Sequence, residues 1–127
     1  MGTTWQYEDT GEYLAVRVTG AYRAGNMNAS RVEEIALQAR TFQRWRVLID
    51  LTAMQGSMPN TDRFLLGEAA GRFWGRRLKV AVAARPGTVN RFFENVAVNS
   101  GANVRAFEDI QPAIDWLLHG GLTHTSE

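Results

Sequence analysis

The segment from Arg46 to Trp74 constrains the fold of this chain more than any other part of the sequence. It begins with an apolar run at residues 47–49, passes Asp50 into a polar loop, and continues from Thr61 as an amphipathic pattern of helical period. A buried strand followed by a loop and a helix is the unit of a parallel α/β sheet. Because such folds usually place their chemistry in the loop after the strand, the residues beyond Asp50 are the first candidates for a site.

The rest of the chain repeats this alternation of strand and helix. Strands are predicted at residues 5–8, 13–19, 46–50, 78–84 and 104–107, the first two as a hairpin. Four apolar stripes of helical spacing follow the hairpin and the three later strands. The stripes are Val32, Ile35, Ala36 and Ala39; Leu66, Ala69, Ala70, Phe73 and Trp74; Val89, Phe92, Phe93, Val96 and Ala97; and Ile110, Ala113, Ile114, Leu117 and Leu118.

Local signals refine two of these helices. Ser30 and Glu33 have the spacing of a capping box at the start of the first helix. Gly67 and Gly71 lower the helix propensity of the second, so we expect them to permit close packing of that helix on the sheet.

Together these elements predict one α/β domain over residues 1–127, with a polar tail from about residue 120. The expected fold is a strand-helix superhelix with a mixed sheet of about five strands. Parallel strands are joined by right-handed crossovers in about 98% of cases, which places the helices mainly on one face.

The opposite sheet face is then expected to be largely uncovered. By strand parity it presents Ala15, Arg17, Ala81, Ala83, Arg105 and Phe107. An open face with small and apolar side chains favours a homodimer or another protein docked on it. Trp116 lies off the centre of the last helical stripe, where it either covers a helix junction or contacts a partner. The predicted interface therefore comprises Arg17, Ala83, Arg105, Phe107 and Trp116.

Composition excludes several classes of function. A formal net charge of +1 does not favour nucleic acid, and the absence of cysteine excludes disulfides, thiolate metal sites and a cysteine nucleophile. The N-terminus has no signal-peptide pattern, and no apolar run approaches the roughly 20 residues that a membrane span needs. A soluble, cytoplasmic protein is expected.

The loop after the third strand offers four polar candidates. Asp50 has the chemistry of a metal ligand or a base, but capping the loop through backbone N–H groups is the favoured role. Ser57, Asn60 and Thr61 have the chemistry to accept a phosphate or anchor a partner, whereas an N-cap for the second helix is favoured for Asn60 and Thr61.

Other polar residues do not assemble into a catalytic set. His119 and His124 both lie near the tail, so a Ser-His-Asp triad would need that tail to fold back into the site. Arg72, Arg76 and Arg77 cluster near the end of the second helix, where a solvated face is favoured over an anion site. No metal site, cofactor or enzymatic activity is expected.

The order of the elements resembles the SpoIIAA-like family of STAS and SEC14-type domains. The matching segments are Tyr13 to Gly20, Val47-Leu48-Ile49-Asp50-Leu51-Thr52, Lys79-Val80-Ala81-Val82, and Ala106-Phe107-Glu108-Asp109 followed by Ala113, Trp116 and Leu117. The resemblance implies a non-catalytic module that binds regulatory proteins or, in the lipid-transfer relatives, an apolar small molecule.

One branch of that family, the anti-sigma antagonists, carries an Asp-Ser-Ser-Gly run whose serine is phosphorylated. The corresponding stretch here reads Met58-Pro59-Asn60-Thr61, so Ser57 and Thr61 flank the place of the motif without reproducing it. Two hypotheses follow. The first is a regulatory domain that binds protein partners through the second helix and the loop of residues 56–61, and the alternative is a carrier or sensor that holds a lipid-like ligand between helices and sheet.

Overall fold

The computed structural model describes residues 2–23, 28–86 and 91–120. These residues form a mixed α/β sheet with four helices, as predicted. The strands are β1 (Thr3–Asp9), β2 (Leu14–Ala21), β3 (Arg46–Asp50), β4 (Met54–Gln55), β5 (Lys79–Ala83) and β6 (Asn103–Phe107). The helices are α1 (Ala29–Phe42), α2 (Asn60–Phe73), α3 (Arg91–Asn99) and α4 (Ile110–His119).

The sheet has the strand order β1-β2-β3-β5-β6, and the short strand β4 pairs with the end of β2. β1 is antiparallel to β2, whereas the other pairs are parallel. All parallel strands therefore end at one edge of the sheet, here called the carboxyl edge, and begin at the opposite edge, here called the amino edge. The loops that contain Ser57 and Arg85 lie at this edge.

The main core lies between the sheet and helices α1, α2 and α3. Alternate residues of β2 face it, with Leu14, Val16 and Val18 fully buried. The indole N–H of Trp74 donates a hydrogen bond to the carbonyl oxygen of Val32 at 2.9 Å and so joins α1 to the end of α2. The predicted stripes of α1 and α2 supply this core, and so do Phe93 and Ala97 of the third stripe, whereas the core position predicted for Phe92 is wrong because its side chain is exposed. Val89 lies outside the described residues.

Two local predictions about the helices are wrong. The N-cap of α1 is Asn28, whose side chain accepts a hydrogen bond from the backbone N–H of Arg31, so Ser30 and Glu33 do not form a capping box. The glycines of α2 permit close packing on α3, rather than on the sheet. A Cβ atom at Gly67 would lie 2.8 Å from the Cβ of Val96.

Helix α4 packs against the opposite sheet face. Its residues Ala113, Trp116 and Leu117 are buried against β3 and β5 in a second core. The rings of Trp116 and Phe107 lie 5.9 Å apart. Three helices thus cover one face and one covers the other. The crossover rule constrains only a helix between two parallel strands, and no strand follows α4 in the described chain.

This position of α4 corrects the predicted interface. Ala83 has 0% exposure and Trp116 is buried, so both residues belong to the core of the chain itself. Arg17 and Arg105 remain exposed, whereas Phe107 is half-buried beside Trp116. The five residues do not form one open surface.

Candidate functional site

The loop after β3 begins with a tight turn at Asp50. Oδ1 of Asp50 accepts hydrogen bonds from the backbone N–H of Thr52 at 2.9 Å and from its hydroxyl at 2.6 Å. Asp50 therefore caps the loop, the role that was favoured from the sequence. Its side chain lies on the α4 side of the sheet, because it alternates with Ile49, which faces the main core. The structure therefore separates Asp50 from the other three candidates.

Strand β4 continues the loop in the direction of β3, parallel to the end of β2. Met54 and Gln55 pair with the last two residues of β2, and the backbone N–H of Tyr22 donates to the carbonyl oxygen of Gln55 at 2.8 Å. The sequence did not predict this strand, because two residues are too few to show an alternating pattern. The pairing anchors the loop before it reaches Ser57.

Further contacts hold the loop on both sides of Ser57. Nη2 of Arg85 donates to the carbonyl oxygen of Met54 at 2.6 Å and lies 3.4 Å from that of Gly56. Gly56 has a φ of 88°, which glycine adopts without strain. Beyond Ser57, the side chain of Met58 is buried in the main core. Ser57 itself is exposed, so a well-anchored loop presents its hydroxyl to solvent.

Helix α2 begins without the side-chain cap predicted for Asn60 or Thr61. The N-cap residue is Pro59, with φ −65° and ψ 155°, and it offers no side-chain hydrogen bond. Oδ1 of Asn60 instead accepts from Nη1 of Arg63 at 2.8 Å, and Thr61 is exposed. The capping prediction fails because the helix starts at Asn60, whereas a cap comes from the extended residue that precedes the helix.

The first turn of α2 is connected to the end of β2 instead. The hydroxyl of Tyr22 donates a hydrogen bond to Oδ2 of Asp62. A carboxylate in this first turn also suits the positive end of the helix macrodipole. The start of α2 and the loop before it are thereby held in one position relative to the sheet.

Large apolar side chains stand exposed beside this anchored loop. Phe64 is 43% exposed and Leu65 is 54% exposed on α2, and Phe92 is 41% exposed on α3. Gly67 contacts Val96 across the helix pair, so Phe64 and Phe92, each one turn earlier, lie at the same level. None of these residues was predicted as a site candidate from the sequence, because apolar residues of helical spacing were taken only as signs of the core. For Phe64 and Leu65 the available signal was their position outside the core-facing stripe, whereas Phe92 was predicted to lie within such a stripe.

We call Ser57, Asn60, Thr61, Phe64 and Leu65 the α2 N-terminal surface. It continues into a groove of about 420 Å³ between α1 and α2. Asn28, Asp62, Leu65, Glu68 and Arg72 line this groove together with two alanines. The surface thus combines exposed apolar side chains with a polar rim, the composition found in protein interfaces.

The space between the sheet and helices α1, α2 and α3 is small. The apolar cavity in the main core holds about 20 Å³ and is lined by residues such as Val32, Leu66, Trp74 and Phe93. Pockets for small-molecule ligands are usually about 300–1,000 Å³. Within the described residues, this part of the core is filled by side chains.

The histidines are not brought to the α2 N-terminal surface. His119 ends α4, and α4 ends beside Lys79 at the amino edge of the sheet, opposite Ser57. His124 lies outside the described residues. No group of three or more His, Asp or Glu side chains in the described ranges is arranged to hold a metal ion. Nor is any described helix both long and apolar enough to traverse a bilayer.

Part of the reverse sheet face remains open beside α4. A groove of about 280 Å³ runs between the β1–β2 hairpin and α4. Arg17 and Asp50 are neighbours across β2 and β3 in this groove. Tyr13, Ile110 and Ile114 provide apolar walls. Ala83 and Trp116 therefore cannot contribute to a homodimer interface on this face, and only this groove remains open there for a second chain.

Comparison with known proteins identifies the fold. The chain matches no family model and no curated protein sequence. It is similar to the crystal structure of an anti-sigma factor antagonist from Mycobacterium paratuberculosis, with 16% identity, a TM-score of 0.62, and coverage of 91% of this chain and 94% of that chain.

It is also similar to an uncharacterized protein of the DUF3478 family with a SpoIIAA-like fold from Shewanella loihica PV-4. That likeness has 20% identity, a TM-score of 0.50, and coverage of 91% of this chain and 94% of that chain. The chain therefore has the SpoIIAA-like fold that its sequence resembled.

Proposed function

We propose that this chain is a non-enzymatic regulatory domain of the STAS type, which acts in the cytoplasm by binding a protein partner through the α2 N-terminal surface. The likeness to an anti-sigma factor antagonist over 91% of the chain supports a regulatory role. The order of segments that resembles the SpoIIAA-like family supports it from the sequence. The α2 N-terminal surface supports the mode of action.

The exposure of Phe64 and Leu65 is the observation that carries this proposal. Both are large apolar residues, and they stand next to each other on a helix whose core-facing side is already filled. Fully burying one such side chain contributes about 1.5–3 kcal/mol. A partner that covers both gains affinity from residues that contribute little to the fold.

The loop around Ser57 is already ordered, which also supports binding of a partner at this surface. Arg85, β4 and the Tyr22–Asp62 hydrogen bond hold the residues around Ser57 in one arrangement. A surface that is already ordered loses less conformational entropy when it binds. The same anchoring leaves Ser57 accessible for recognition or modification.

The carrier alternative has weaker support. A lipid-like ligand between helices and sheet needs a pocket far larger than the cavity of about 20 Å³ in the main core. Native mass spectrometry of the purified chain tests this alternative directly. A retained small molecule would favour the carrier over the protein-binding domain.

Site-specific photocrosslinking tests the proposed surface. A photoreactive amino acid at position 65 is expected to capture a discrete protein partner in the source cells, and the additional change Phe64→Ser is expected to abolish the capture. Leu37, which is 50% exposed on α1, provides the matched control position. Equal capture from positions 37 and 65, or none from either, would contradict the proposal.

A further inference from the structure

The amino edge of the sheet, opposite the α2 N-terminal surface, carries a second cleft. This cleft of about 210 Å³ lies between the ends of α1 and α2. Its apolar lining consists of Ala36, Trp45, Phe73, Trp74 and Leu78. Trp74 is buried in the main core beneath it, so the floor is rigid.

Every charged residue that lines the cleft is an arginine. These residues are Arg40, Arg44 and Arg77. Arg44 is paired with Asp9 through Nε–Oδ1 and Nη2–Oδ2 contacts of 2.7 and 3.2 Å, and the hydrogen bond from Arg44 lowers the pKa of Asp9. Arg40 and Arg77 are exposed and form no side-chain hydrogen bond or ion pair with any residue in the described ranges.

The positive charges of Arg40 and Arg77 exceed the partial negative charges of the helix ends beside them. The C-terminus of a helix is equivalent to roughly half a negative charge, so α1 and α2 together offset about one of the two positive charges. The backbone N–H of Gln43 already donates to carbonyl oxygens at the end of α1. Arg77 lies beyond the last turn of α2, which ends at Phe73. Interaction with the helix C-termini therefore accounts for only part of the positive charge in the cleft.

Trp45 forms an exposed wall of the cleft. It is 53% exposed, although tryptophan is highly buried on average. The guanidinium of Arg46 lies 4.2 Å from the centre of its ring, a contact that holds the indole in place. An ordered, exposed indole beside two unpaired guanidinium groups is typical of a binding hot spot, since these sites are enriched in Trp and Arg.

We propose that this cleft is a second protein-docking site, which takes an acidic peptide segment with one aromatic or large aliphatic anchor residue. The anchor fills the apolar cleft against Trp45, and carboxylates on either side of it pair with Arg40 and Arg77. The cleft is smaller than the roughly 300–1,000 Å³ of a small-molecule pocket, which favours a single side chain inserted by a larger partner. Its uniform charge selects an acidic one.

Peptide binding tests the proposal with purified protein. The probe is the capped pentapeptide Glu-Asp-Phe-Glu-Asp, and the controls are Gln-Asn-Phe-Gln-Asn, which lacks the charges, and Glu-Asp-Ala-Glu-Asp, which lacks the anchor. The double variant Arg40→Gln with Arg77→Gln is compared with Arg17→Gln with Arg105→Gln. The latter removes the same charge from exposed positions elsewhere.

Calorimetry and the tryptophan indole N–H signals in NMR give independent readouts. We expect saturable binding of the acidic aromatic peptide, weakened about tenfold or more by the Arg40/Arg77 double variant and little by the control variant. The chain has four tryptophans, and the Trp45 signal, assigned with Trp45→Phe, is expected to move. Trp116, which lies in the second core on the other face of the sheet and does not line the cleft, serves as the internal reference.

Three results would overturn the proposal. The first is that the acidic aromatic peptide shows no saturable binding with a dissociation constant of about a millimolar or tighter. The second is that the uncharged or the anchorless peptide binds equally well, and the third is that the two double variants weaken binding equally. Each is independent of the α2 N-terminal surface, because neither double variant alters that surface.

Discussion

Lys79 donates a hydrogen bond from Nζ to the carbonyl oxygen of Gly120 at 2.6 Å and so connects the first residue of β5 to the end of α4. The same ammonium lies 4.7 Å from the ring centre of Trp116. Burial lowers the pKa of Lys79, and the neighbouring Arg46 acts in the same direction. The ammonium group of Lys79 is thus fixed at the edge of the second core by its contacts with Gly120 and Trp116.

We therefore expect Lys79→Met to reduce the free energy of unfolding by about 1–2 kcal/mol, because a hydrogen bond from a charged donor contributes about 1.5–3 kcal/mol and the methionine recovers part of the burial. Urea denaturation followed by tryptophan fluorescence measures the change. Arg17→Met, at an exposed position, is the control and should stay within about 0.5 kcal/mol. Equal effects of the two substitutions would show that the Lys79 contact contributes nothing specific.

Ala83→Arg is expected to destabilise the monomer, rather than merely prevent association. Ala83 is fully buried beneath α4, so an arginine there must displace the helix or leave a buried charge without a partner. We expect a loss of at least about 3 kcal/mol in unfolding free energy. Ala53→Arg, at an exposed loop position, should be nearly neutral. A stable, folded Ala83→Arg monomer would mean that α4 does not cover this face.

Tyr7 is expected to make the fold sensitive to alkali. Burial, with a further contribution from Glu34, raises the pKa of Tyr7 from 10.0 to about 12. The unfolded chain therefore loses this proton at lower pH than the folded chain does. The stabilisation is complete below about pH 10 and is lost as the pH rises towards about 12.

Urea denaturation near pH 8 and near pH 11 measures this loss, and Tyr7→Phe should reduce it. The hydroxyl of Tyr7 is buried without a hydrogen-bond partner among the described residues, so we also expect Tyr7→Phe to be neutral or stabilising near pH 8. An unchanged pH dependence in this variant would assign the effect to other groups, such as Tyr13, whose pKa is also raised by burial.

Ser57→Ala and Thr61→Ala are expected to leave the fold intact, each within about 0.5 kcal/mol of the wild type. Both residues are exposed, and the start of α2 uses no side-chain cap. Asn28→Ala is the contrasting variant, because Asn28 caps α1 through its side chain. Its loss should be about 1 kcal/mol. Thermal unfolding of the three variants measures the stability that each side chain contributes at the start of α1 or α2. A larger loss of stability for Thr61→Ala than for Asn28→Ala would mean that α2, and not α1, depends on a side-chain cap.

The sequence alone determined the order of the main elements and the main core. Strand β3 was predicted with its observed bounds, and the stripes of α1 and α2 face the sheet as expected. Periodicity succeeds in these cases because the side chains of a single element must alternate between core and solvent. The pattern is local and can be read without knowing which other element provides the core.

Tertiary structure alone decided where α4 packs, how the loop before α2 is anchored, and which arginines line the cleft at the amino edge. Trp116 was predicted to lie at the margin of the core because it is off the centre of the apolar stripe of its helix. In the structure it lies in a second core on the reverse face of the sheet. Arg85 forms a hydrogen bond with Met54, 31 positions away in the sequence. Arg40 and Arg77 line the same cleft because the ends of α1 and α2 lie side by side. Contacts between residues far apart in the chain leave no periodic signal within either segment, so only the folded arrangement reveals them.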